Sequence, residues 1–177
     1  YSLLLMSTAG AMIFVSAAEL ITLFLGLEIM SMALYCLCGS AVGRKWSVEA
    51  GLKYFLQGSF SSAFLLYGIA LIYGVSGSTE IATIAANVGQ LDSTRLPVGV
   101  GLVLVGLVFK IGLVPFHFWA PDSYQGAPTP ITAYMACVVK AAAVGVGLRS
   151  LWVMFGEVIA LWAGAVWLLA VLTMVAG

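Results

Sequence analysis

Long apolar runs, each broken only by a short polar stretch, restrict this chain more than any other feature. A helix needs roughly 20 apolar residues to cross a bilayer, so the chain holds about six crossings and almost no extramembrane domain. Composition agrees with that. Of 177 residues, 63% are hydrophobic and 8% charged, with mean hydropathy +1.13. An ordinary soluble domain carries roughly 25% charged residues, and so small a supply cannot coat a soluble globule. Seven basic and seven acidic residues balance to zero, so nothing suggests a nucleic-acid surface. Three cysteines cannot build a secreted disulfide framework. The class that remains is all-α membrane, a polytopic helix bundle.

The apolar runs predict spans over 2–18, 20–42, 48–75, 96–118, 128–154 and 156–176, forming a single bundle over 1–177. The first residue is Tyr1 and the last run continues to Gly177, which reads as a piece of a longer protein. The first run lacks the basic start and cleavage region of a signal peptide. Ser47 is a candidate N-cap for the third span. Ile81, Ile84 and Val88, at spacings of three and four, predict a short surface helix. Arg44 and Lys45 favour a cytoplasmic loop, while Arg95 and Arg149 fall at the other face and tie the count. Gly58, Ser62, Gly68, Gly145 and Gly147 suit close helix packing, as do Cys36, Cys38 and Cys137 as small side chains.

The fourth span carries Gly112 and Pro115 directly after Lys110. Proline inside a helix removes a hydrogen bond and clashes with the preceding turn. Within a membrane such a break persists only where protein or a wet cavity satisfies the freed backbone. Two readings stay open here, an ordinary kink and a discontinuous helix at an ion path.

Four ionisable residues fall inside predicted spans: Glu28, Lys53, Lys110 and Lys140. A charge at the centre of a membrane helix costs roughly 2.5–3.5 kcal/mol, and such residues mark ion or proton paths by default. At ~1.5 Å per residue, Glu28, Lys110 and Lys140 lie near the midplane. Each has the alternative of a static ion pair inside the bundle. Lys53 lies nearer the basic loop, with Glu49 four residues earlier, the favourable order for a helical ion pair. His117, beside the break, is either a hydrogen-bonded packing residue or a proton relay that titrates near neutral pH. Glu19, Glu80, Asp92 and Glu157 sit at span ends and read as solvated, and Asp122 reads as a turn former. No nucleophile elbow, phosphate-binding loop or metal-ligand spacing stands out.

The stretches FLGLEIMSMALYCLCG, EAGLKYFLQGSFSSAFLLYGIALIYG and FKIGLVPFHFWAPDSYQGAP resemble the antiporter-like membrane subunits of proton-pumping NADH:quinone oxidoreductase, most of all those called N or 2. The resemblance covers about Glu19 to Leu151. It implies one half of an inverted-repeat antiporter-like fold, with the first repeat and the start of the second present. By position, Glu28 matches the glutamate of the family's fifth helix and Lys110 the lysine of its discontinuous seventh. Those two form the pair whose separation is thought to gate proton movement. Lys140 matches the next carrier on the eighth helix, Lys53 a sixth-helix lysine, and His117 a relay position.

The resemblance further implies proton translocation without redox chemistry in this chain. NADH, flavin, iron–sulfur clusters and quinone belong to the parent complex. The partners are then its other membrane subunits, further antiporter-like ones among them, with protons and the lipid bilayer. The implied location is a bacterial inner membrane, with organelle inner or thylakoid membranes as alternatives. The competing functions are a sodium/proton antiporter or hydrogenase subunit, and a purely structural membrane subunit.

Overall fold

The computed structural model describes residues 1–92 and 94–176. Among them the elements are helical, joined by one isolated bridge between Glu19 and Glu80. In order they are α1 (Ser2–Ser16), α2 (Leu20–Cys38), α3 (Lys45–Ser76), α4 (Ile81–Asn87), α5 (Leu96–Ile111), α6 (Trp119–Gly126), α7 (Thr129–Tyr134), α8 (Lys140–Phe155) and α9 (Ala163–Ala176). A π turn at Met135–Val139 makes α7 and α8 one continuous rod. By length and composition, Leu20–Cys38, Lys45–Ser76 and Thr129–Leu161 can each cross a membrane. The apolar helices α1, α5 and α9 are shorter, at 15, 16 and 14 residues.

Close backbone approach sets the packing. A Cβ at Gly10 would lie 2.8 Å from Met30 Cα, and one at Gly26 would lie 2.8 Å from Phe14 Cα. Two small residues thus let α1 and α2 press together, as membrane helices do in place of hydrophobic exclusion. Gly68 plays the same part between α3 and α5, where a Cβ would fall 2.8 Å from the Gly99 carbonyl oxygen. Helix α3 therefore runs between α2 on one side and α5 and α6 on the other. Outward-facing Leu5, Met12, Phe60, Trp152 and Trp167 are largely exposed, an apolar exterior that suits lipid or further apolar protein better than water.

Several boundaries differ from the expectations. The second span ends at Cys38 rather than 42, and α3 begins at Lys45 with Arg44 as its N-cap. Ser47 does not cap α3. It is buried, donates to the Cys38 carbonyl at 2.8 Å and accepts from the Ala41 N–H at 3.3 Å. It satisfies the end of the preceding helix, where carbonyls lack helical partners. The last span opens as a 3-10 turn, Gly156–Leu161, with Val158 outside helical geometry.

The short surface helix is α4, with Ile81, Ile84 and Val88 buried against the bundle and Ala82, Thr83, Ala86 and Asn87 exposed. Gly145 and Gly147 meet nothing within 4 Å, so they serve no close contact among the described residues. Cys36 and Cys137 are exposed rather than packed, and Cys38 alone of the three is buried.

Candidate functional site at the broken helix

The fourth span is interrupted. Helix α5 stops at Ile111 and Gly112 takes the left-handed conformation at φ +80°, a region that L side chains enter only at a cost. The Gly112 N–H donates to the Phe109 carbonyl at 3.1 Å and the Leu113 N–H to Val108 at 3.2 Å, a pairing that closes a helix end. Two remote groups complete it. The Trp119 indole donates to the same Phe109 carbonyl at 2.8 Å, and the Val114 N–H donates to Thr173 Oγ1 of α9 at 3.1 Å. The Val114–Pro115 peptide is cis. The helix is thus interrupted at Gly112, and protein groups satisfy backbone freed there.

Lys110 occupies the last turn of α5 and is only 1% exposed. Its ammonium has no hydrogen-bond partner among the described residues. It lies 5.4 Å from the ring centroid of Tyr35 and 5.4 Å from that of Tyr54. Both distances are within cation–π range, and a helix C-terminus favours a cation besides. The rings are built into an aromatic cluster, with Tyr35 and Tyr54 edge to face at 4.8 Å and Tyr54 stacked on Trp119 at 4.7 Å. Trp119 meets Tyr124 at 5.7 Å, and the Lys140 ammonium lies 5.5 Å from the Tyr124 ring. A chain of aromatic contacts thus joins Lys110 to Lys140. Lys140 itself follows the π turn directly, a distortion frequent at functional positions.

Glu28 is half-buried on α2 and accepts a hydrogen bond from the Ser62 hydroxyl of α3. Among the described residues the ion pairs are Lys53–Glu49, Lys53–Asp122 and Arg95–Asp92, and none includes Glu28 or Lys110. His117 is half-buried in the segment after the break; its Nδ1 is buried without a partner and its ring lies 5.3 Å from Phe118. Among the described residues, the buried side-chain polar atoms without a partner are, with Lys110 Nζ, Tyr35 Oη, Tyr54 Oη, Ser123 Oγ, Tyr124 Oη and His117 Nδ1. All belong to the break or to the helices facing it. Leaving such a group unmade costs about 1–3 kcal/mol, so their concentration at one place calls for a reason.

Lys53 stands apart. It is 40% exposed and bonded to Glu49 at 2.8 Å and Asp122 at 3.0 Å. A cleft of about 330 Å³ at this end is lined by Arg44, Trp46, Glu49, Lys53, Asp122 and Gln125, among others. Asp122, expected only to shape a turn, pins α6 to α3 instead. Ser62 was likewise expected only to pack. Tyr35 sits seven residues beyond Glu28, and Tyr54 eight before Ser62. That spacing signals a shared helix face, though it does not say what the face meets. The end charges Glu19, Glu80, Asp92 and Glu157 are exposed, as anticipated.

A family profile described as "NADH:quinone oxidoreductase/Mrp antiporter, TM" matches residues 17–177. The chain belongs to this membrane family. A relative named NADH-quinone oxidoreductase subunit N, from Trichlorobacter lovleyi, is 51% identical over the whole of this chain. One of the same name from Mycobacterium tuberculosis is 46% identical. The chain spans 37% and 34% of those two relatives, about a third of their length.

Solved structures from the family share its fold. A chain of respiratory complex I from Thermus thermophilus superposes with TM-score 0.77 at 42% identity, over 85% of this chain and 33% of that one. A chain of the Mrp complex from a Dietzia species gives 0.80 at 31% identity, over 93% and 31%. A chain of an archaeal membrane-bound sulfane sulfur reductase gives 0.82 at 31%, over 90% and 34%.

Proposed function

We propose that this chain forms part of a proton-translocating, subunit-N-like membrane subunit of an NADH:quinone oxidoreductase. The carrying observation is the buried, unpartnered ammonium of Lys110 among unpartnered hydroxyls at a helix break. A membrane interior tolerates such groups where they serve a path for ions or protons. An acid and a base whose separation changes can take up and release a proton, and Glu28 and Lys110 are the couple able to do so. Lys140 is the next carrier, reached along the Tyr54–Trp119–Tyr124 cluster. His117 relays beside the Gly112–Pro115 break, and Lys53 serves at the basic-loop end, where the cleft opens.

Sequence identity supports this reading over the family's other branches. The shared fold gives comparable TM-scores for all three solved complexes, whereas identity rises from 31% to 42% for complex I. In this reading the chain contributes six crossings, with α5, the break and α6 together making one. It sits in a bacterial inner membrane beside further antiporter-like subunits. Flavin, iron–sulfur clusters, NADH and quinone serve electron transfer in other subunits, and that transfer drives the charge rearrangement here.

The test uses the full-length subunit in the reconstituted complex. Lys110→Ala and Glu28→Ala each lower proton pumping, and a normal proton-to-electron ratio in both variants would sink the reading. Sodium-dependent proton exchange in vesicles without NADH or quinone would favour the antiporter branch. Defective assembly with intact pumping per assembled complex would favour a structural role.

A further inference from the structure

Glu28 and Lys110 face the same interior, yet each is engaged by something other than its counterpart. Helices α2 and α3 run antiparallel, so the positions fall on two levels. Glu28 and Ser62 share one level. Tyr35 and Tyr54, seven and eight residues away on their helices, share another about 10 Å nearer the basic loop. The carboxylate is bonded on the first level and the ammonium rests against the rings on the second.

The Ser62 bond crosses between helices, as does that of Ser7 to the Met30 carbonyl. Other helical hydroxyls bond back to the carbonyl four residues earlier, as Thr8 does to Leu4, Ser16 to Met12, Ser31 to Leu27 and Thr173 to Leu169. That is the local default for such side chains. Ser62 gives its single proton across the helix interface to Glu28 instead. Gly58, between the two levels on α3, is what lets the Tyr35 ring come in, since a Cβ there would lie 2.7 Å from Tyr35 Cζ.

We infer that Ser62 and the Tyr35–Tyr54 ring pair are the alternate partners that hold the Glu28–Lys110 couple apart. This rests on the reading of that couple as the proton-carrying one. Ser62, Tyr35 and Tyr54 are positioning residues: the hydroxyl retains the carboxylate while the ring faces retain the ammonium. Closing the couple then means exchanging one hydrogen bond and two cation–π contacts for an ion pair. Opening it restores them. Without these partners the couple stays closed and its cycle stops.

The experiment compares Ser62→Ala, Ser62→Cys and Ser62→Thr in the full-length subunit within the assembled, reconstituted complex. Cysteine keeps the volume with a weak donor, whereas threonine keeps the hydroxyl and adds volume. Pumping per electron falls roughly tenfold or more in Ser62→Ala and Ser62→Cys, the scale of one hydrogen bond to a charged group. Ser62→Thr restores it, and only the first two alter the pH profile. In the ring pair, Tyr54→Phe pumps well above Tyr54→Leu, because the ring face rather than the hydroxyl holds the ammonium.

Pumping that follows side-chain volume, with cysteine like serine and threonine impaired, overturns the inference. So does unchanged pumping in Ser62→Ala alongside its loss in Lys110→Ala, and that result leaves the proton-couple reading standing. Normal pumping in Lys110→Ala strikes the reading itself.

Discussion

Lys53 and Lys110 are both lysines on apolar helices, and the structure treats them in opposite ways. Lys53, near the basic loop and 40% exposed, has carboxylates at 2.8 and 3.0 Å. Lys110, 1% exposed at the helix break, has none within 4.0 Å among the described residues and is faced by two aromatic rings. The lysine that least needs neutralising is doubly paired, and the one that most needs it is unpaired. A midplane charge costs about 3 kcal/mol. Two desolvated cation–π contacts at about 0.5–2 kcal/mol each offset part of that, and the helix C-terminus offsets about 0.3–1 kcal/mol more. Rings can therefore shelter a cation without fixing it as a carboxylate would. Two carboxylates hold Lys53, whereas among the described residues Lys110 is held by ring faces alone.

That contrast can be broken most directly by removing each lysine in turn. Lys110→Ala abolishes pumping in reconstituted complex, whereas Lys53→Ala lowers it only a few-fold; equal losses would erase the distinction. Gly58→Ala comes next, since the new methyl group overlaps the Tyr35 ring. It destabilises the assembled subunit by about 1–3 kcal/mol, the usual scale of overpacking, and lowers pumping by dislodging the ring. Thermal unfolding of the complex in detergent, run beside the pumping assay, separates the two effects.

Gly112→Ala is smaller. A Cβ there meets only Trp119 at 3.8 Å, an ordinary contact, so the cost is backbone strain of about 1–2 kcal/mol. The same melting experiment reads it, and Gly112→Asn costs less, because asparagine tolerates this conformation. The smallest effect belongs to Asp122→Asn. It loosens α6 from α3, but the exposed pair is screened by salt. A double-mutant cycle with Lys53 should show weak coupling that fades as ionic strength rises. Coupling that persists at high salt would mean the pair is less solvated than its exposure indicates.

The membrane class and the interruption after Lys110 were legible in the sequence, as was the presence of Glu28, Lys110 and Lys140 within apolar stretches. Each is a local property: a run of apolar residues, a glycine and proline after a lysine, a charge counted from a span end. The Lys53–Glu49 pair was legible for the same reason, being four residues apart on one helix. The boundary at Ser47 was misread because its hydroxyl serves α2 across the loop and does not cap α3. Ser62 and Asp122 looked ordinary because nothing near them in the chain shows that they face Glu28 and Lys53, which lie 34 and 69 residues away.

Hydropathy and chain stiffness act residue by residue, so the sequence by itself determined that this is a bundle of membrane helices with a break at Gly112 and a few ionisable residues within its apolar stretches. Partners are a different matter. Whether Lys110 meets a carboxylate or an aromatic face depends on how α2, α3 and α5 pack. That packing is settled by close approaches such as Gly58 to Tyr35 and Gly68 to Gly99, between residues distant in the chain. Only the tertiary structure decided that Glu28 and Lys110 stand apart, because an electrostatic contact depends on distance in space and not on position along the chain.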